Sequence, residues 1–167
     1  MINVTDDLNK VDGFLDKLEE VWGLSQSYNS KIHCAAFEIL NTDYSDIKLT
    51  PEDYLNNSII LSQYAFQLQR IINREEARVH YIKNRIDKIV LPNINQQNAY
   101  YYNDKRNLAI AQDSVAQALL KEQTVIELKV KRLQFLSTRV ENLSNKFMEY
   151  SRATRKTEKN YQHSYEN

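Results

Sequence analysis

The chain has 167 residues and a formal net charge of zero, with 42% hydrophobic residues, two glycines and two prolines. So few turn-forming residues exclude a strand-rich fold and put the chain in the all-α class. The single cysteine, Cys34, excludes an internal disulfide, no Cys/His spacing suggests zinc, and no apolar run approaches the ~18 residues of a membrane span.

A first helix is expected after Thr5-Asp6-Asp7, whose side-chain oxygens suit free amide groups and the positive end of a helix dipole. Leu8, Val11, Leu15, Leu18 and Trp22 recur at steps of three and four, and Gly23 is a natural stop. The acidic N-terminal residues do not read as a signal peptide, so a reducing, cytoplasmic location is expected, the host cytoplasm if the protein is phage-encoded. A second, short helix over 30–41 would bury Ile32, Ala35, Ala36 and Ile39, with Cys34 as a small buried thiol. The polar run from Asn41 to Thr50 reads as a linker.

Thr50-Pro51-Glu52-Asp53 marks the next helix start: a capping hydroxyl, a proline where no amide is needed, and a carboxylate three residues on. Leu61, Ala65, Leu68, Ile72, Glu75, Val79, Ile82, Ile86 and Ile89 then alternate by four and three, and Pro92 predicts an end near Val90. Asn93 to Asn103 reads as a connector containing Tyr100, Tyr101 and Tyr102, which suit either base stacking or sealing the tip against a neighbour.

From Asn103 to Lys159 there is no proline or glycine, and one long helix is expected. Its seam is read as Leu108, Gln112, Val115, Leu119, Glu122, Ile126, Lys129, Leu133, Leu136, Val140, Leu143, Phe147, Tyr150 and Thr154. The polar Gln112, Glu122 and Lys129 suggest register-setting pairs or an incompletely closed seam. The architecture is thus a long antiparallel helical hairpin or coiled coil over 51–159, preceded by a small acidic helical segment, 1–50, and followed by a flexible tail, 160–167.

No catalytic constellation, phosphate loop, cofactor site or metal site stands out, and an enzyme is not expected. Charge is more informative. Residues 1–54 carry four basic and eleven acidic side chains, a net −7, and the remainder carries 18 basic against 11 acidic, a net +7. Such a split can steer a polyanion to one part of the molecule or draw two parts together. At 100° per residue, Arg74, Arg78 and Arg85 fall on one flank of the Ile82/Ile86 seam with Tyr81 close by, and Lys83 falls on the other. Cations with an aromatic ring nearby form a rail for single-stranded nucleic acid; equally, flank charges at a helical seam pair with acids on a partner helix. Arg132, Arg139 and Lys146, seven apart, form a second basic stripe that is either a secondary DNA contact or a solvated face.

Asn73 to Asp87, and above all Ile82-Lys83-Asn84-Arg85-Ile86-Asp87, resembles the first long helix of the UvsY family of T4-type phage recombination mediators. The order of parts over roughly 52–156 is also similar: a basic amphipathic helix, a polar connector with tyrosines, then a longer helix ending in basic residues. The family's Tyr-Tyr-Ser-Gly stretch is replaced here by Lys88-Ile89-Val90-Leu91-Pro92-Asn93, and residues 1–50 have no counterpart. The resemblance implies a mediator of recombination and repair that binds single-stranded DNA, forms a ring-like homo-oligomer, and helps load a RecA-like recombinase onto strands covered by single-strand binding protein. It also implies that Lys83 and Arg85 touch DNA. The acidic N-terminal segment would then engage a basic partner, mask the DNA surface, or decorate an assembly. The competing reading is a structural or adaptor coiled-coil protein, such as a virion or scaffold component, without nucleic-acid binding.

Overall fold

The computed structural model describes residues 4–21 and 29–165, of which Val4, Thr5, Asp7 and 158–165 by backbone alone. The elements among them are the helices α1 (Val4–Val21), α2 (Ser30–Asn41), α3 (Pro51–Ile94), α4 (Tyr102–Gln112) and α5 (Ser114–Tyr165). The chain is all-α, a long helical hairpin with two short helices ahead of it. Trp22 and Gly23 lie outside the described residues, as do the side chains of Thr5, Asp7 and Lys159. α5 continues through Tyr165, past the expected start of the polar tail.

Local chemistry fixes two of the starts. Asn29 caps α2 by accepting from the amides of Lys31 and Ile32, at 3.1 and 3.4 Å. At α3, the Asp53 carboxylate accepts from the Thr50 amide at 2.9 Å and its hydroxyl at 2.6 Å, while the Asp53 amide donates back to Thr50 Oγ1. This is a reciprocal capping box with Asp in place of Glu. The two hydrogen bonds from Thr50 hold the Asp53 carboxyl below its ordinary range. The box is therefore complete above the carboxylate range and weakens as the pH falls through it.

The chain divides into two compact units that each take part of both long helices. The first comprises Met1–Ser25 and Ile71–Arg132. Its buried side chains include Ile72, Ile82, Ile86, Val90 and Ile94 from α3, Ala109 and Ile110 from α4, and Ala116, Leu119, Ile126 and Val130 from α5. The pairs Glu75–Lys129 and Asp87–Arg106 run in opposite directions along the chain, so α3 is antiparallel here to the stretch formed by α4 and α5.

The second unit comprises Gln26–Arg70 and Leu133–Asn167. Ala36 and Ile39 of α2 pack with Leu61, Tyr64, Ala65, Leu68, Val140 and Phe147 in one apolar cluster. Ser151 Oγ donates to the Pro51 carbonyl at 2.7 Å and Ser144 Oγ to the Ser58 carbonyl at 2.9 Å, again an antiparallel order. Cys34 is exposed, not buried as expected from its size. The face of α2 that carries Ala36 and Ile39 meets the core, and Cys34, two residues before Ala36, is turned about 200° from it.

Three further expectations are corrected. α3 runs on to Ile94 with Pro92 inside its last turn. Val90 and Ile94, 1% and 5% exposed, bury their side chains only if the helix continues, which outweighs the one backbone bond that Pro92 cannot donate. The expected single helix from Asn103 is two helices. Asp113 adopts extended backbone, and its Oδ1 accepts from the amides of Val115 and Ala116 at 2.9 and 2.8 Å, ending α4 and capping α5. Substituting Asp113→Ala is expected to cost about 1 kcal/mol of stability, read as a lower urea midpoint.

The seam of α5 is also phased differently. Leu119, Ile126, Val140 and Phe147 are buried as expected, but their partners in the repeat are Ala116, Val130, Ser137, Ser144 and Ser151. The expected partners lie one residue earlier, on the flank, where Leu136 and Leu143 are half-buried and Lys129 and Tyr150 are exposed. Leu108 is likewise exposed, because α4 turns Ala109 and Ile110 inward instead.

Candidate nucleic-acid interface

Arg74, Arg78, Tyr81 and Arg85 recur at four, three and four along α3 and so share one flank, with α1 against its first turns. Arg74 Nη1 lies 2.7 Å from Asp16 and 3.5 Å from Glu19, and Nη2 lies 3.9 Å from Asp12. Arg78 makes a two-point ion pair with Asp12, through Nε at 2.9 Å and through Nη2. Its Nη1 bridges both oxygens of Glu75 at 3.2 Å. The hydrogen bonding of Arg78 to the Asp12 carboxylate raises the pKa of its guanidinium, burial opposes this, and the nearby Glu75 charge adds to it.

Glu75 occupies a seam position and is 5% exposed. Lys129 Nζ reaches it at 2.6 Å, so the buried carboxylate is held by Arg78 from its own helix and by Lys129 from α5. Lys129 thus reaches a seam carboxylate from the flank of α5 and does not occupy the seam position expected of it. Gln112 instead bonds Gln97 in the connector at 2.9 Å.

The remaining site residues are distributed as follows. Tyr81 and Arg85 are half-buried, and Lys83 is exposed on the flank away from the arginine row. Arg74 and Arg78 are thus brought together with acids of α1, while Lys83 stands apart. Arg106 pairs with Asp87 at 2.8 Å, fastening α4 to the end of the Ile82–Asp87 pattern. Tyr100, Tyr101 and Tyr102 are exposed, the first two edge to face with ring centroids 5.0 Å apart.

In the other unit, Arg132's neighbours in the basic stripe, Arg139 and Lys146, are exposed on α5. They line a groove of about 660 Å³ together with His33 and Phe37 of α2 and Tyr64 of α3. Sequence reasoning passed over these aromatic residues because they lie on helices distant in the chain from the stripe. Arg132 itself is exposed and belongs to the first unit. Among the described residues, no three His, Cys, Asp or Glu side chains group as they would around a metal, and no helix is long and apolar enough to cross a membrane.

No family model, no curated protein and no solved structure matches this chain.

Proposed function

We propose that this protein binds single-stranded DNA without sequence preference, with α1 acting as a removable acidic cover over the arginine row of α3. The observation that carries this reading is the placement of Asp12, Asp16 and Glu19 on Arg74 and Arg78. Carboxylates and phosphates compete for the same guanidinium geometry, so a strand would take over donors that α1 now occupies.

The docking of α1 is shallow, which favours a cover over a permanent strut. None of its described side chains is buried, whereas α2 buries Ala36 and Ile39. Phe14 is 61% exposed, and Gly13, in mid-helix, lowers helix stability by about 1 kcal/mol relative to alanine. Partly exposed ion pairs of this kind are worth roughly 0–1 kcal/mol each and are screened by salt.

On this reading Arg74, Arg78 and Arg85 neutralise phosphates, Tyr81 stacks on a base, and Lys83 supplies a contact on the other flank. The resemblance to recombination mediators extends the proposal to a homo-oligomer that multiplies a weak site by avidity and helps load a RecA-like recombinase displacing single-strand binding protein. A labelled oligonucleotide titrated at two salt concentrations tests it. Lys83→Ala/Arg85→Ala is expected to weaken binding and to lower the logarithmic salt slope by about 1.4, two contacts at ~0.7 each. Absence of binding by the unaltered protein at low salt overturns the function, and unchanged affinity of the double variant overturns the assignment of these two residues.

The ion pairs also favour a second reading. The acids of α1 and Glu75 satisfy Arg74 and Arg78 within the chain, as in a structural or adaptor coiled-coil protein whose charges serve only to fix its helices. That reading predicts a stable assembly with no oligonucleotide affinity.

A further inference from the structure

We infer that the groove bordered by Arg139, Lys146 and Phe37 is a second binding site for single-stranded DNA, in which a base stacks on α2 and the backbone lies along α5. The inference rests on the proposed function but concerns a different surface, contained in one unit.

Three observations carry it. The groove, about 660 Å³, falls within the ~300–1,000 Å³ range of small-molecule sites, enough for a nucleotide unit. Its α2 wall is aromatic: the Phe37 ring is 61% exposed and stacks with His33, centroids 6.4 Å apart and planes 13° from parallel. His33 is braced edge-on by Tyr64 at 5.5 Å. An exposed ring backed by two others presents a flat, preordered face, and every base offers a π-face to it.

The α5 wall is cationic. Arg139 and Lys146, two turns apart, lie about 10.5 Å from each other along the helix and line the groove together with the apolar Leu136 and Leu143. Neither takes part in an ion pair among the described residues, and the Arg139 guanidinium sits over the Phe135 ring, 5.7 Å from its centroid. Both cations therefore remain free to meet phosphates, unlike Arg74 and Arg78. An apolar slot alone would suit many occupants; flat rings on one side and two unspent charges on the other match a nucleotide chain.

The test uses an oligonucleotide carrying 2-aminopurine, whose fluorescence is quenched by stacking, titrated against the full chain. Quenching is expected with the unaltered protein and with Lys83→Ala/Arg85→Ala at saturation. Phe37→Ala is expected to reduce it to what Tyr81 contributes and to weaken binding roughly five-fold to a hundred-fold. Arg139→Ala/Lys146→Ala is expected to weaken binding in a salt-dependent way. All three side chains are exposed, so unchanged thermal unfolding serves as the folding control.

Binding whose affinity and quenching are both unaffected by the Phe37 and Arg139/Lys146 variants overturns the groove while leaving the proposed function standing. No binding by the unaltered protein overturns both. Occupation of the groove by an acidic peptide, with the oligonucleotide failing to displace it, overturns the inference in favour of a protein ligand.

Discussion

Replacing Ser144 by leucine is expected to destabilise the protein by roughly 2–5 kcal/mol, although leucine is the residue that a heptad seam ordinarily favours. Ser144 is 3% exposed, and its hydroxyl donates to the Ser58 carbonyl at 2.9 Å. The same oxygen lies 3.1 Å from Ser58 Oγ and 2.8 Å from Ser62 Oγ, close enough to accept from both. Helices joined through serine hydroxyls leave no room for an isobutyl group. Leucine would push α3 and α5 apart, and the buried Ser58 would lose its partner. Ser144→Ala removes only the hydrogen bonds and should cost about 1–3 kcal/mol. Urea or thermal unfolding of the two variants separates crowding from lost hydrogen bonding; a more stable leucine variant would mean that the seam is wider than the serine contacts require.

The second large effect is expected at Glu75. Arg78→Ala combined with Lys129→Ala strips the buried carboxylate of both its cations and should cost about 3–5 kcal/mol. Glu75→Met removes the charge and keeps comparable bulk, and should be near neutral or stabilising. Arg78 then retains Asp12, and Lys129, with a side chain 53% exposed, returns to water. Denaturant titration of the two variants reads the difference directly. Similar losses in both would indicate that Glu75 contributes packing and not merely a charge that must be matched.

These two sites also show where the sequence was legible. Hydrophobic spacing located the seam of α3 from Leu61 to Ile86 because large aliphatic residues mark it. Side-chain capping located the start of α3, since Thr50 and Asp53 act on each other's amides three residues apart, whereas the Asn29 cap of α2 became evident only in the structure. The seam of α5 was misphased by one residue along half of its repeat because its second position holds Ala116, Ser137, Ser144 and Ser151. Small residues allow close approach but leave no hydrophobic signature, whereas the half-buried Leu136 and Leu143 beside them do. Asp113 interrupts a run without proline or glycine, and its role depends on a local competition between continuing α4 and capping α5. That competition is decided by the packing of both helices.

The candidate site was legible as a pattern on one helix and not as a set of contacts. Helical spacing put Arg74, Arg78, Tyr81 and Arg85 on one flank, and the acidic composition of the N-terminal segment suggested masking among other roles. Which carboxylates meet which arginines required the docking of α1, more than fifty residues away in the chain. The groove between α2 and α5 was hidden for the same reason. His33 and Phe37 acquire meaning only when placed opposite Arg139 and Lys146.

The central claim is that α1 and single-stranded DNA compete for the arginine row. Asp12→Asn/Asp16→Asn/Glu19→Gln removes the competing charges while preserving side-chain shape, and an oligonucleotide titration at low and at moderate salt reads the outcome. Affinity at low salt is expected to rise several-fold to about a hundredfold, the equivalent of a few partly exposed ion pairs, with the gain shrinking as salt is added. An affinity that is unchanged or lower in the triple variant, with its unfolding transition intact, would contradict the claim and leave α1 as a structural strut.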